Sequence, residues 1–306
     1  MQTTVKRQVP FVGTGLHSGR PVRAILRPAP ADHGIRFKRT DIADRNPVIP
    51  ALYDRVTDTT LNTRLTNAAG VSVSTVEHLM AALAGTGIHN ALVEIDGPEV
   101  PIMDGSARRF VRDIVAAGLT RSRRPLTAWR VEKTVVWEDG AVRAELAPFD
   151  GLSIDFTIDF PDRAIGRQSK ALDMANGAFL RELSDCRTFC RRDEVEYMQS
   201  RGLALGGTLD NAVVIEGDKV LNPEGFRRSD ECVRHKMLDA LGDMALAGAP
   251  ILGAYTGQRA GHGATNQLLR KLFATPGAVS RVTCGPDQLA TLPGMDLSPA
   301  DLRAVG

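Results

Sequence analysis

Residues 75–83, TVEHLMAAL, and residues 233–241, VRHKMLDAL, are two versions of one pattern in this chain of 306 residues. Each stretch predicts an apolar helix with a histidine near its start. Each is followed by a turn that contains glycine and then by a strand-like run, ALVEI at 91–95 or ILGAY at 251–255. The repeated order of helix, turn and strand predicts a duplicated domain.

The spacing of matched residues supports this duplication. His78 and His235 lie 157 positions apart (235 − 78). Asp104 and His262, each predicted to lie in the loop before a helix, differ by 158 positions (262 − 104), and the helix after His262 is predicted over 265–273. Nearly equal spacing of two landmark pairs is expected when the halves of a chain share one plan. The two histidines would then converge on a site between the halves.

Composition and charge exclude several classes of function. The hydrophobic content of 43% and the charged content of 24% are those of a globular chain long enough for two domains with separate cores. A net charge of +2 spread along the chain gives no field that would attract nucleic acid. The longest apolar stretch, 244–255, is too short to span a bilayer, and the N-terminus lacks an apolar signal core. Four cysteines form no disulfide framework, which favours the cytoplasm.

A break in the pattern divides the chain. The segment TRSRRP at 120–125 has the charge and proline of an exposed linker, so we predict domains at 1–123 and 126–306. In each domain strand-like runs accompany two helices, which predicts an α+β fold of two similar two-layer α/β sandwich domains with the active site between them. Residues 194–221 are predicted to be an insertion without a counterpart in the first half and a candidate for substrate specificity. The tail at 289–306 is predicted to be exposed.

The chemistry concentrates on the second helix pattern. His235, Asp239 and Asp243 are spaced by four residues and therefore share one helix face. Metal sites use this spacing to obtain two ligands from one helix, and His78 is the available third ligand. The alternative is a histidine–carboxylate hydrogen bond without a metal.

Two further residues are candidates for proton transfer. Glu77 precedes His78, so it could act as general base on a water near the metal; alternatively, the pattern of residues 74–77 is a capping box in which Glu77 only caps the helix. His262, between two glycines, is either a proton donor or a solvated turn residue. Asp243 could orient His262 and keep it protonated.

Several motifs together resemble the UDP-3-O-acyl-N-acetylglucosamine deacetylases, the zinc amidases of the committed step of lipid A biosynthesis. The match is collinear from about residue 5 to about residue 275. The motifs are GLHSG at 15–19, STVEHLMAAL at 74–83, PIMDGS at 101–106, CRTF at 186–189, VRHKMLDALGD at 233–243 and GH at 261–262.

This resemblance implies a zinc ion (Zn²⁺) and roles for the matching residues. His78, His235 and Asp239 correspond to the zinc ligands, and Glu77 corresponds to the base. The substrate partner implied is an acylated glucosamine linked to UDP, whose N-acetyl group is hydrolysed to acetate.

The resemblance also assigns residues around the substrate. His262 corresponds to the cationic partner of the oxyanion and the leaving amine, and Asp243 corresponds to the residue that supports this histidine. Thr188 corresponds to a hydroxyl donor for the oxyanion. Residues assigned to the substrate site are Lys236, Phe189, Leu16 and Asn62. The inserted unit corresponds to the passage for the acyl chain.

Two departures and two alternatives remain. Cys190, Arg191 and Arg192 replace the glycine and apolar residues common after Thr188-Phe189, and Asn62 replaces a frequent cysteine near the metal. One alternative is a phosphosugar-binding protein that is not catalytic and holds a structural metal. The other is an amidohydrolase loaded with Fe(II), which two histidines and a carboxylate tolerate.

Overall fold

Two β-sheets, one from each half of the chain, form the framework of the molecule. The structure is a computed structural model and describes residues 1–175, 177–295 and 297. The mixed α/β fold confirms the predicted α+β class. Within these residues no helix has the length and apolar character needed to cross a membrane.

The first half contains ten strands and two α-helices. They are β1 (Thr3–Val5), β2 (Val9–Thr14), β3 (Pro21–Pro28), β4 (Ile35–Arg39), β5 (Val48–Pro50), β6 (Val56–Asp58), β7 (Arg64–Thr66), β8 (Ser72–Val73), α1 (Glu77–Gly85), β9 (Ala91–Ile95), α2 (Arg108–Ala117) and β10 (Leu119–Arg121). A 3₁₀ turn at Tyr53–Arg55 precedes β6.

The second half contains the remaining described elements. They are β11 (Thr127–Val131), β12 (Val135–Asp139), β13 (Val142–Ala147), β14 (Leu152–Asp159), β15 (Arg167–Asp173), a π-helical turn (Phe179–Leu183), β16 (Phe189–Arg191), α3 (Arg192–Ser200), β17 (Val213–Glu216), β18 (Lys219–Val220), α4 (Glu231–Met244), a 3₁₀ turn (Ala245–Ala247), β19 (Ile251–Gln258), α5 (His262–Ala274), β20 (Val279–Thr283) and α6 (Pro286–Ala290).

The two main sheets share one strand order. The first is β2-β3-β9-β4-β5, and the second contains β12-β13-β19-β14-β15. In the first sheet the central strand β9 is antiparallel to β3 and parallel to β4. In the second sheet the central strand β19 is likewise antiparallel to β13 and parallel to β14. Strands β11 and β20 extend the second sheet beside the first residues of β19. This common connectivity supports the duplication, which stays an inference.

Both halves carry an inserted unit at the same point in this order. Between β5 and α1 lies a small sheet of β6, β7 and β8, and between β15 and α4 lie β16, α3, β17 and β18. The prediction that the insertion has no counterpart in the first half is therefore wrong, because both halves have an inserted unit at the same point. The two units nevertheless differ in structure. Strands of two or three mostly polar residues give too short an alternation to be detected from sequence.

The helices join the halves through one core. Helix α1 packs on α4, α2 packs on β2, and α5 packs on β12 and β13. Buried hydrophobic side chains from Val5 to Ala278 form one large cluster that includes residues of both halves, and a smaller second cluster contains Leu126, Ala128 and Leu252. Helix α1 is apolar around most of its circumference, and such helices are buried on all sides. Helix α4 is also largely buried, although its buried side chains include polar ones.

The linker and the tail differ partly from their predictions. Strand β10 pairs with β1, so residues 119–121 are tied to the first half, although most side chains of the predicted linker are exposed. The domain boundaries themselves stay predictions. Leu292 and Met295 are buried, which contradicts an exposed tail at those positions, whereas residues 298–306 lie outside the described residues.

Gly242 lets α1 and α4 approach closely beside the candidate site. A Cβ atom at Gly242 would overlap the carbonyl oxygen of Glu77 and would lie 3.1 Å from the backbone nitrogen of Ala81. Both obstacles are backbone atoms of α1, so a side-chain rotation cannot relieve the clash. The absence of a side chain at this position sets the distance between the two helices.

We expect Gly242→Ala to lower the free energy of unfolding by about 1–3 kcal/mol, the usual cost of overpacking a core. In a helix without the clash, the same change would raise it by about 1 kcal/mol. Gly263→Ala is the matched control, because a Cβ atom there meets the Thr59 hydroxyl at 3.1 Å rather than backbone. Urea unfolding of both variants measures the effect, and a stabilised Gly242→Ala protein would contradict the close crossing.

Candidate active site

Three buried side chains from the two helix patterns meet between the halves. His78 lies on α1, whereas His235 and Asp239 lie one turn apart on α4. One nitrogen or oxygen atom of each lies within 4.8 Å of those of the other two. Asp239 Oδ1 is 3.3 Å from His235 Nε2 and 3.6 Å from His78 Nε2. The structure therefore brings together the three predicted ligands.

The hydrogen bonds of this cluster fit a metal ion. His235 Nδ1 contacts the carbonyl oxygen of Cys186 at 3.0 Å, which leaves Nε2 directed toward Asp239. Asp239 Oδ1 and His78 Nδ1 are buried without a hydrogen-bond partner among the described residues. Buried polar atoms nearly always have a partner, and a cation would supply one for the carboxylate oxygen. The donor set of two imidazoles and one carboxylate suits a divalent transition metal.

The charge states of the cluster also suit metal binding. Burial lowers the pKa of His235 to about 3, so its imidazole is neutral at pH 7. Burial alone would raise the pKa of Asp239, but contact with the His235 imidazole and the positive charge of Lys236 hold that pKa well below its usual value. Lys236 Nζ donates to Asp239 Oδ2 at 2.6 Å. A neutral imidazole and an ionised carboxylate are the forms that ligate metals.

Glu77 is the first residue of α1 and is buried beside the cluster. Its Oε2 accepts a hydrogen bond from the backbone N–H of Thr63 at 3.0 Å. The residue before α1 is Val76, and no side chain caps this helix end, so the capping-box alternative for Glu77 is wrong. Burial raises the pKa of Glu77, and the nearby imidazoles of His262 and His78 oppose that rise. A raised pKa suits a carboxylate that exchanges protons near neutral pH.

His262, which is partly buried, forms a second pair with the buried Asp243. His262 Nδ1 lies 2.8 Å from Asp243 Oδ2, and Asp243 Oδ1 accepts a hydrogen bond from the Thr63 hydroxyl at 2.6 Å. Burial would lower the pKa of His262, but Asp243 raises it to about 9. His262 is therefore protonated at pH 7 in this environment.

His262 differs from its prediction in one respect. Helix α5 begins at His262 rather than at residue 265, so the histidine is helical and not part of a loop. Gly261, with an extended backbone, lies immediately before the helix, and Gly263 lies within its first turn. Glycine on both sides lowers the helix signal, although the helix nevertheless begins there.

A cavity of about 810 Å³ leads to these residues. Lys236 and His262 line it, and they contact Asp239 and Asp243 respectively. Other predicted residues in its wall are Leu16, Thr188 and Phe189. The Phe189 ring also lies edge-on to the His235 ring, with centroids 6.4 Å apart.

Asn62 is not among the residues that line this cavity. Its Oδ1 accepts a hydrogen bond from the backbone N–H of Thr75 at 3.3 Å, so the side chain contacts the segment that precedes α1. The structure thus separates Asn62 from the other residues predicted to contact substrate.

The residues that depart from the family pattern have different positions. Cys190 lines the cavity, whereas Arg191 and Arg192 do not. Arg191 Nε donates to Asp162 Oδ2 at 2.6 Å, and Arg192 pairs with two glutamates on the exposed side of the inserted unit. Neither arginine narrows the cavity.

Sequence reasoning missed Thr63 and the carbonyl of Cys186. Thr63 contacts both Glu77 and Asp243, but it lies 180 positions from Asp243 in the chain. No local pattern reports a contact of that sequence separation. The contact of Lys236 with Asp239 was open to prediction, because residues three apart on a helix are neighbours.

The cavity meets the requirements of a hydrolytic metal site. The cluster offers three candidate ligands, which would leave a coordination position of a bound metal open, and buried Glu77 lies next to them. The class that the fold and the site define is therefore that of the metal-dependent hydrolases.

Comparison with known proteins specifies the family. Residues 2–274 match the family described as UDP-3-O-acyl N-acetylglycosamine deacetylase. The chain belongs to this family, which confirms the resemblance drawn from its motifs. The UDP-3-O-acyl-N-acetylglucosamine deacetylase of Phenylobacterium zucineum (strain HLK1) is 50% identical over 277 residues, 90% of this chain and 94% of that protein. The protein of that name from Anaeromyxobacter sp. (strain Fw109-5) is 48% identical over 95% of this chain and 95% of its own length. The one from Pasteurella multocida (strain Pm70) is 46% identical over 92% of this chain and 93% of its own length.

Proposed function

We propose that this chain hydrolyses the N-acetyl group of UDP-3-O-acyl-N-acetylglucosamine and releases acetate, the committed step of lipid A biosynthesis. Family membership and the names of its relatives support the substrate. The observation that carries the chemistry is the buried cluster of His78, His235 and Asp239 with Glu77 beside it, below a cavity of about 810 Å³.

His78, His235 and Asp239 would hold a zinc ion. When bound there, zinc would acidify a water molecule and polarise the acetamide carbonyl. A structural zinc site has four protein ligands, whereas the cluster in the described part of the chain has three. This difference favours catalysis over the alternative of a phosphosugar-binding protein with a structural metal. Metal analysis of protein purified without oxygen separates zinc from Fe(II).

The residues around the cluster would divide the proton transfers. Glu77 takes a proton from the attacking water as the water oxygen bonds to the acetyl carbon. Thr188 and protonated His262 donate hydrogen bonds to the developing oxyanion. The C–N bond then breaks, and the amine receives its proton from Glu77 or His262 as acetate leaves. Lys236, Phe189 and the other cavity residues would position the substrate.

Acetate release from the acylated UDP-sugar tests the proposal directly. We expect release by the purified chain, its loss after treatment with a chelator, and its return when one equivalent of zinc is added. A chelator-treated protein that retains full activity would exclude a metal-dependent reaction. A folded, zinc-loaded protein that releases no acetate from this substrate would exclude the deacetylase proposal.

We expect Asp243→Asn to shift the alkaline limit of activity to lower pH. The reaction needs protonated His262, whose pKa of about 9 depends on Asp243, so activity should fall only as pH rises through about 9. Without the carboxylate, His262 loses its proton nearer its ordinary pKa of about 6.5. The pH profile of kcat/KM measures the shift, and NMR titration of His262 in the metal-free protein checks its cause. An unchanged alkaline limit would refute this role of Asp243.

The cytoplasmic location and the absence of a nucleic-acid partner stay predictions. All four cysteines are free thiols, as expected of a reducing compartment. Cell fractionation tests the location.

A further inference from the structure

A single peptide group, between Cys186 and Arg187, contacts two residues of α4. Its carbonyl oxygen lies 3.0 Å from His235 Nδ1, and its N–H donates to Glu231 Oε1 at 2.9 Å. Glu231 and His235 are four residues apart and therefore lie on the same face of α4. The peptide thus spans one helical turn and is held at both ends.

Glu231 is held in turn by a buried guanidinium. Both Glu231 and Arg187 are 1% exposed. Arg187 donates from Nε to Oε1 at 3.0 Å and from Nη2 to Oε2 at 3.2 Å. The backbone N–H of Arg227 donates to the same Oε2 at 2.6 Å. The ionised carboxylate is therefore held in place by several donors, and it cannot rotate away from the peptide without leaving buried charges unpaired.

The orientation of this peptide decides which nitrogen of His235 is free. A carbonyl oxygen accepts only from a protonated Nδ1, so the neutral ring then carries its lone pair on Nε2. Nε2 is the atom that lies 3.3 Å from Asp239 Oδ1. A negative carboxylate at the N–H end polarises the peptide and strengthens its carbonyl as an acceptor.

We propose that Glu231 and Arg187 are positioning residues that fix the tautomer and ring orientation of His235 through the 186–187 peptide. The functional meaning of this arrangement rests on the proposed metal-binding role of His235. Hydrogen-bond partners of metal-bound histidines typically affect metal affinity by about 10–100-fold when removed.

The chain contains an internal control for this proposal. His78 Nδ1 has no hydrogen-bond partner among the described residues, and His78 is therefore not held by the same device. A change at Glu231 should alter His235 and leave His78 unchanged. A general loosening of the fold would alter both rings.

The first measurement is the tautomer state in the full-length, metal-free protein. Imidazole ¹⁵N shifts, assigned with His78→Gln and His235→Gln variants, should show the wild-type His235 protonated on Nδ1. In Glu231→Gln we expect a mixture of His235 tautomers and a wild-type signal from His78. The second measurement is zinc affinity by competition with a chromophoric chelator, which we expect to fall about 10–100-fold.

Two further variants keep the test decisive. Glu224→Gln removes the half-exposed carboxylate that pairs with the other side of Arg187 and does not contact the peptide, so it should match wild type in both measurements. If Glu231→Gln does not fold, the double variant Glu231→Gln/Arg187→Gln is measured in its place, because the double variant removes both buried charges. A folded variant with wild-type His235 shifts and zinc affinity would overturn the proposal. Failure of the wild-type chain to bind zinc would instead refute the proposed function, and the tautomer result would still stand on its own.

Discussion

Glu77→Gln is expected to retain bound metal and to lose turnover by about 10²–10⁴-fold, the usual contribution of a positioned general base. Glutamine preserves the size of the side chain and can still accept the hydrogen bond that Thr63 donates to Oε2. It cannot take a proton from water at neutral pH. The loss should therefore appear in kcat, with the metal content unchanged.

The measurement pairs acetate release with metal content per chain. Glu196→Gln is a suitable control, because it changes an exposed carboxylate of α3 that pairs with Arg192 and does not line the cavity. Full turnover by Glu77→Gln would remove Glu77 as the base. Loss of metal from this variant would show instead that Glu77 holds the ion.

Asp239→Ala is expected to lose metal and activity together. Asp239 is the one carboxylate of the cluster, and its Oδ1 lies 3.3 Å from His235 Nε2 and 3.6 Å from His78 Nε2. Metal activation contributes several kcal/mol, and each 1.4 kcal/mol is a factor of ten, so activity should fall by at least about 10³-fold. The variant also leaves the partly buried Lys236 without its partner, which will lower stability.

Metal analysis after dialysis checks this prediction. Asp243→Asn serves as the comparison, because it removes a neighbouring buried carboxylate that is outside the cluster and should keep the metal. Circular dichroism must show that Asp239→Ala is folded. A folded Asp239→Ala protein with wild-type metal content would exclude Asp239 as a ligand.

The sequence allows prediction of those site residues that lie on one helix, α4. The spacing of His235, Asp239 and Asp243 follows the period of the α-helix, so their common face could be read from the sequence. The repeat then indicated His78 as their partner. The contacts of Thr63 and Cys186 could not be read in this way, because they depend on how loops fold back over the helices.

The fold shows the same limit. Long strands with alternating burial, such as β3 and β14, are visible in the sequence. Strands β6 to β8 are two or three residues long and remain hidden, although they form one of the two inserted units. The beginning of α5 was placed three residues late, because glycines flank His262.

The close crossing of α1 and α4 has a consequence for the symmetry of the centre. When His78 is matched with His235, the position that corresponds to Asp239 is Ala82 (239 − 157), so the carboxylate is present in only one of the two helices. The imidazole rings of the two matched helix patterns lie with centroids 4.9 Å apart, so both patterns contribute to one cluster. Under the proposed roles, α4 would supply two of the three metal ligands, whereas α1 would supply the third ligand and the neighbouring proton acceptor. This division of labour gives the centre a direction, so an asymmetric substrate can bind it in one orientation.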